Sequence, residues 1–220
     1  MKETVARLAT CSLVAGSLLL AACSILAPQP DSSQFFVLAP LADATTPRTG
    51  SASQALPDAV LGLGPIKLPP YLDRNEVATR LSPTQITYST VDRWAEPLSV
   101  SVSRVLLLNL SLLVGTDRIV TYPWPNIPKV DYQIEIELLS FDITTTGETQ
   151  LLARYGILEG HTRRPLVVRE ANFSRPAAAD TPAAVTALSA SLGDLSQDIA
   201  AALRQLPKPQ AAPPGTRRTS

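Results

Sequence analysis

The sequence has a single histidine, His161, and only two cysteines. One histidine excludes any zinc motif that needs two histidine ligands, and it leaves at most one histidine base. Neither a G-x-S-x-G turn nor a phosphate-binding loop is present, and Gly62-Leu63-Gly64 leads to Lys67 where a dinucleotide fingerprint requires a glycine. We therefore predict a protein that is not an enzyme, with no catalytic residue, no metal site and no cofactor.

Charge of one sign is not in excess either. The 19 basic and 19 acidic residues give a formal net charge of zero, and no basic stretch is interleaved with aromatic residues. Such a chain offers no strong positive field to the phosphates of a nucleic acid, so nucleic-acid binding is disfavoured. The hydrophobic fraction of 45% instead indicates a folded chain, and its length suits one domain with its own core.

Long hydrophobic runs are also missing, except at the N-terminus. Residues 8–20 are mostly apolar or small and lead into Leu20-Ala21-Ala22-Cys23. This run is shorter than the roughly 20 apolar residues of a membrane span, but it has the length and position of a secretory signal peptide. The Leu-Ala-Ala-Cys ending resembles the lipobox of bacterial lipoproteins, whose cysteine thiol receives a diacylglyceryl group. We predict a lipoprotein signal peptide over residues 1–22 and lipidation of Cys23; the alternative is a secreted protein with an incidental cysteine.

Lipidation would leave the folded part of the chain without a thiol, because Cys11 lies in the signal peptide. No disulfide and no cysteine metal ligand can then form there. Residues 23–34 are rich in proline, serine and polar side chains, which predicts a flexible tether. Residues 207–220 have a similar composition and are predicted to be a disordered tail. The domain would therefore span residues 35–206.

One stretch of that domain, residues 97–114, fits two secondary structures. Its start alternates apolar Leu98, Val100 and Val102 with serines, as a half-buried strand would, whereas its apolar residues taken together follow a helical stripe. The stretch is long for a strand, and Gly115 follows it directly, as glycine often follows a helix. We predict a helix.

A second helix is predicted over residues 181–206. Its apolar side chains recur every three or four residues, and Asp180 precedes it as a capping residue. Alternation of apolar and polar residues predicts strands at residues 35–38, 59–68, 85–89, 118–122, 132–141, 150–158 and 165–173.

Four aromatic residues near the ends of these elements are further candidates for function. Tyr71, Trp94, Tyr122 and Trp124 stand beside prolines or charged residues. They either pack in the core and its turns, or form a surface for a protein or lipid partner, where tyrosine and tryptophan are favoured. His161, in contrast, is expected in an exposed hairpin loop.

Several motifs occur in an order that resembles one family. They are Leu68-Pro69-Pro70-Tyr71-Leu72-Asp73-Arg74, then Arg80-Leu81, then Arg93-Trp94-Ala95-Glu96-Pro97-Leu98, and Asn109-Leu110. They resemble the PqiC-like lipoproteins, the auxiliary lipoprotein components of ABC-type, MCE-associated transport systems that support membrane integrity. The resemblance extends over about residues 35–206.

The resemblance implies a three-layer α/β single domain around a central mixed β-sheet. It also implies a role in lipid transport, in which the lipoprotein docks a periplasm-spanning MCE tunnel at the outer membrane. The partners would be the MCE-domain tunnel protein and its permease, and several copies of the chain would form a ring. The family has no catalytic residues to carry over.

The motif residues Tyr71, Asp73, Arg74, Trp94 and Glu96 are the candidate partner surface that the resemblance suggests. A structural role is the alternative: Asp73, Arg74 and Glu96 would pair inside a turn, and Trp94 would close the edge of the sheet.

Location follows from the residue after the lipidated cysteine. It is Ser24 and not aspartate, so the inner-membrane retention signal is absent and the outer membrane, facing the periplasm, is expected. An inner-membrane lipoprotein is the alternative. A second function stays open, a periplasmic lipoprotein that itself carries or senses lipid, and it requires an apolar cavity.

Overall fold

The computed structural model describes residues 32–41, 56, 58–124, 129–178 and 180–207. The predicted signal peptide, the lipidation site Cys23, the tether up to residue 31 and the tail after Pro207 lie outside the described residues. The described chain from Ser33 onward belongs to one compact unit.

Two helices and one eight-stranded mixed sheet make up the described part of the chain. The helices are α1 (Leu98–Val114) and α2 (Thr181–Arg204). The strands are β1 (Gln34–Phe36), β2 (Leu61–Lys67), β3 (Glu76–Ser82), β4 (Gln85–Trp94), β5 (Ile119–Thr121), β6 (Tyr132–Thr144), β7 (Glu148–Glu159) and β8 (Pro165–Pro176).

Strand β6 is the centre of the sheet, and different strands pair with its two halves. One edge of β6 pairs antiparallel with β7, which in turn pairs with β8. On the other edge, β2 pairs parallel with the first half of β6, and β3 pairs parallel with its last residues, Ile143 and Thr144. Strand β5 lies beyond β2, whereas β4 and then β1 lie beyond β3. The sheet therefore divides on this side into two branches, and we call the point of division the fork.

Side-chain alternation along β6 explains which face of the sheet is covered. Ile134, Ile136 and Leu138 are buried on one face, while Glu135 and Glu137 alternate with them on the other. Successive side chains of a strand point to opposite faces, so this sequence can bury only one of them. The buried face forms a single core with both helices.

The two helices begin and end at residues suited to those positions. The Asp180 carboxylate accepts a hydrogen bond from the Ala183 N–H over 2.7 Å, which caps α2. Helix α1 ends at Gly115, which has a left-handed φ of 76° and donates its N–H to the Ser111 carbonyl over 3.1 Å. The ambiguous stretch is thus helical, as predicted.

Both helices lie on the same face of the sheet. Helix α1 packs on β2 and β5, α2 packs on β7 and β8, and the Asn109 amide donates to the Ser196 hydroxyl over 3.2 Å between them. The opposite face carries Glu137, Arg154 and Glu170, which form ion pairs of 4.0 and 3.5 Å. The α/β fold with a mixed sheet and two helices is confirmed.

Candidate partner-binding surface

The first family motif crosses the fork. After β2, residues Pro70–Leu72 form a single 3-10 turn that carries the chain from one branch of the sheet to the other. The Leu72 side chain is buried, and the Asp73 N–H closes the turn on the Pro70 carbonyl over 3.1 Å. Pro69 and Pro70 fix two φ angles and leave two positions without a backbone N–H donor. These restrictions favour extended chain that leads directly into a turn.

Tyr71 takes part in a polar cluster beneath the turn. Its hydroxyl donates to Asp142 Oδ1 over 2.8 Å and accepts from Arg80 Nη2 over 3.2 Å. Arg80 Nε donates to Asp142 Oδ2 over 2.8 Å, and the Ser140 hydroxyl donates to the same oxygen over 2.5 Å. Burial, together with the adjacent Asp142 carboxylate, raises the pKa of Tyr71 to about 12. The cluster joins β3 to β6 and holds the fork together.

The predicted pairing of Asp73, Arg74 and Glu96 inside one turn is wrong. Arg74 pairs with Glu76 over 3.4 Å, and its guanidinium lies 4.4 Å from the centre of the Tyr88 ring. Glu96 pairs instead with Arg104 of α1 over 2.8 Å, which lowers the pKa of Glu96. Asp73 is exposed after the turn. Arg74 and Glu96 therefore pair with different partners, and not with each other.

Trp94 is 6% exposed and belongs to the core. It ends β4 in register with Phe36, so strand β1, and not the indole, covers this edge of β4. Tyr71 is half-buried within its polar cluster. Of the predicted surface residues, Asp73 and Arg74 are therefore exposed at the fork, whereas Trp94 follows the packing alternative.

An apolar groove of about 520 Å³ lies between α1 and the branch that contains β2 and β5. Its lining is mainly aliphatic and includes one aromatic ring, that of Tyr122. The lining includes Leu63, Ile66, Val100, Leu107, Leu108 and Tyr122. Val100, Leu108 and Tyr122, which line this groove, are large hydrophobic residues that remain exposed. Exposed apolar side chains gathered in one place indicate a binding surface more strongly than scattered ones do.

The position of Tyr122 on this rim depends on a glycine. The Tyr122 N–H donates to the Leu63 carbonyl over 2.9 Å, which brings the chain after β5 against β2. At Gly64, whose φ is 119°, an added Cβ would lie 2.6 Å from the Tyr122 Cβ, so only glycine allows this approach. The Tyr122 and Trp124 rings meet edge to face with centres 5.3 Å apart.

The charged residue in the lining of the groove, Arg104, has hydrogen-bond partners outside the groove. Arg104 contributes to the lining, but its guanidinium donates to Glu96 over 2.8 Å and to the Leu38 carbonyl over 3.4 Å. Apart from the paired Arg104, the polar side-chain groups that line the groove are the hydroxyls of serine, threonine and tyrosine residues. Such a site can bind aliphatic or aromatic groups, and the charge of Arg104 is already compensated by Glu96.

Within the described ranges, no group of three His, Cys, Asp or Glu side chains is placed to hold a metal ion. His161 is exposed in the turn between β7 and β8, as predicted. No helix in the part of the chain that the structure describes combines the length and the apolar character needed to span a bilayer.

Sequence reasoning missed Asp142 and most of the groove. Asp142 follows Phe141 at the end of a predicted strand, and nothing in the local pattern distinguishes it from a solvated residue. A signal for the groove was present in Leu106-Leu107-Leu108, because three consecutive leucines on a helix cannot all face one core. Leu106 is buried, while Leu108 is exposed at the groove.

Comparison with known proteins agrees with this fold. A crystal structure of an uncharacterized protein matches with a TM-score of 0.62 and 16% identity, covering 78% of this chain and 98% of that one. A Xanthomonas campestris protein of the DUF330 family matches with a TM-score of 0.63 and 13% identity, covering 76% and 93%. At these identities the likeness concerns the fold alone. No curated protein sequence is significantly similar to the chain.

The family resemblance noted in the sequence is confirmed. The family model described as "ABC-type transport auxiliary lipoprotein component" matches residues 36–200, which include both helices up to Ala200 and all the strands after the start of β1. Because this match covers more than half of the sequence, the chain belongs to the family of ABC-type transport auxiliary lipoprotein components.

Proposed function

We propose that the chain is a non-catalytic, lipid-anchored subunit that docks the MCE-domain tunnel protein of an ABC-type lipid transport system at the outer membrane. The observation that carries this proposal is the apolar groove between α1 and the β2–β5 branch. Protein interfaces have a centre poor in charge and rich in aromatic residues. The groove, with Tyr122 on its rim and Arg104 turned away, has that composition.

The sheet edge beside the groove also suits a protein partner. Among the described residues, strand β5 is the last strand of its branch, and it has only three residues, Ile119–Thr121. An unpaired edge can accept a further strand, while the neighbouring groove accepts that strand's side chains. The tunnel protein would bind here, and its permease would be reached through the tunnel.

Anchoring at Cys23 supplies the other half of the proposed role. Lipid attached to Cys23 would hold the domain at one membrane, and Ser24 favours the outer membrane over the inner one. More than one acyl chain is needed for lasting attachment, which a diacylglyceryl group provides. The resemblance further leads us to propose that several copies of the chain form a ring around the end of the tunnel; native mass spectrometry of the purified lipoprotein would count them.

A charged substitution in the wall of the groove tests the proposed docking site. Val100 lies in the first turn of α1, where a glutamate is compatible with the helix, so Val100→Glu should fold. We expect it to reduce co-purification with the MCE-domain protein about tenfold, because an anchor of the interface becomes charged. Val168→Glu is the matched control, since Val168 is also an exposed valine but lies on β8. Equal co-purification of the two variants would contradict docking in the groove.

The groove also supports a second candidate, a lipoprotein that itself carries or senses lipid. Its volume of about 520 Å³ is within the range of about 300–1,000 Å³ that is common for small-molecule sites. An acyl chain bound there would be seen by native mass spectrometry of the purified protein and lost in Val100→Glu. Absence of bound lipid in the unmodified protein would exclude this candidate and leave the docking role.

A further inference from the structure

Strand β1 and the residue that follows it expose two large apolar side chains. Phe36 and Leu38 face inward, and Leu38 is fully buried. Their neighbours Phe35 and Val37 face outward and are 64% and 52% exposed. Because alternate residues of an extended chain lie on the same side, Phe35 and Val37 form one small apolar patch, which we call the β1 patch.

The β1 patch lies on a segment that hydrogen bonds hold to the rest of the domain. The Ala95 N–H donates to the Phe36 carbonyl over 2.9 Å, which joins β1 to the end of β4. The following segment is bound to both helices. The Leu38 N–H donates to Ser101 of α1 over 3.3 Å, and the Ala39 N–H donates to Ser189 of α2 over 3.1 Å. The body of the domain thus presents the patch in one orientation.

The length of the chain before β1 limits the distance between the β1 patch and the lipid anchor. Nine residues lie between Cys23 and Ser33, and even a fully extended chain over these ten residue steps spans at most about 35 Å. A folded domain of this size is itself about 40 Å across, from a radius of gyration of about 16 Å. An anchor at Cys23 therefore keeps β1 within about 35 Å of the bilayer and excludes orientations in which the full depth of the domain separates β1 from the membrane.

We propose that the β1 patch contacts the bilayer interface, where Phe35 and Val37 insert among the lipid headgroups and the first methylenes. The proposal rests on the proposed lipidation of Cys23. Aromatic side chains together with basic ones favour the membrane interface, and Phe35 is in register with Arg93 on β4, whose partly exposed guanidinium also lies 3.6 Å from Glu76. The anchor supplies the affinity, while the patch sets the orientation in which the domain presents its groove.

The test uses the mature lipoprotein in vesicles of phosphatidylethanolamine and phosphatidylglycerol that contain a nitroxide-labelled phosphatidylcholine. A cysteine introduced by Val37→Cys is labelled with an environment-sensitive fluorophore, since the acylated Cys23 does not react. Val168→Cys is the matched control, because it replaces a valine that is 66% exposed on β8, outside the β1 branch. We expect a blue shift and about threefold stronger nitroxide quenching at position 37 than at position 168. Adding Phe35→Ser should reduce the quenching at position 37.

Three outcomes overturn the proposal, and they are distinguishable. A protein that does not float with the vesicles contradicts the anchor, and with it both the proposed function and the membrane contact. A protein that floats but shows equal quenching at positions 37 and 168 contradicts the β1 patch alone. A blue shift at position 37 without nitroxide quenching, which grows with protein concentration, assigns the patch to a second copy of the chain.

Discussion

The Arg80 guanidinium donates a hydrogen bond from Nε to Oδ2 of Asp142 over 2.8 Å and so joins β3 to β6. These two strands pair through only two residue pairs, Thr79 with Ile143 and Arg80 with Thr144. The ion pair therefore reinforces a short ladder at the place where the sheet divides. The family motif that contains Tyr71 is connected to the same carboxylate.

Replacing Arg80 with leucine should destabilise the fold. Asp142 is 3% exposed, and the variant would leave its buried carboxylate with only the Tyr71 and Ser140 hydroxyls as side-chain donors. We expect the free energy of unfolding to fall by about 2–4 kcal/mol, measured by urea denaturation. In Arg154→Leu, which removes two long ion pairs on the exposed face of the sheet, the loss should be about 0.5 kcal/mol or less. Similar losses in both variants would mean that the buried pair has no special role.

Stability should decrease at alkaline pH through Tyr71. Burial and the neighbouring carboxylate raise its pKa from 10.0 to about 12, so the folded state favours the neutral phenol. The resulting stabilisation is complete below pH 10 and is lost as the pH rises toward about 12. We expect a loss on the order of 2 kcal/mol in this window, determined by urea denaturation at successive pH values. Tyr71→Phe should show a smaller loss, and an identical pH profile in both proteins would be evidence against the shift.

Two glycines near the end of β7 should respond differently to alanine. An added Cβ at Gly160 would lie 1.7 Å from the Val130 carbonyl oxygen, whereas at Gly156 the nearest atom would be 3.7 Å away. Gly160→Ala must displace backbone, so we expect it to lower the free energy of unfolding by about 2–4 kcal/mol. Gly156→Ala should change that energy by about 0.5 kcal/mol or less. Thermal unfolding followed by circular dichroism measures both, and a tolerated Gly160→Ala would show that this approach of the chain is not required.

Loss of the acylated cysteine should separate anchoring from folding. In Cys23→Ala with an ordinary signal-peptidase site, we expect the protein in the soluble periplasmic fraction with an unchanged circular dichroism spectrum. The core is formed by residues from Phe36 onward, so it does not depend on residue 23. Transport should be abolished, because the domain no longer fixes one end of the path to a membrane. Full complementation by the soluble variant would contradict an anchoring role.

Local patterns were sufficient to predict both helices. The apolar stripe and the capping Asp180 define the start of α2, and Gly115 defines the end of α1; each signal acts within a few residues along the chain. Strand β3, at Glu76–Ser82, was not predicted. Its sequence contains few apolar residues and no clear alternation, and the strand forms because β4 and β6 pair with its two edges. Such pairing depends on residues distant in sequence, which local propensity does not describe.

The sequence by itself determined the family, the predicted lipidation site at Cys23 and the two helices, because these depend on residue identity and on short-range spacing. Tertiary structure alone decided that Trp94 is buried, that Arg80 meets Asp142 across 62 positions, and that both helices cover one face of the sheet. It also decided which apolar side chains stay outside the core, at the groove and at the β1 patch. The physical reason is that burial is a property of the packed chain: a leucine or valine has the same local preference whether or not another element covers it.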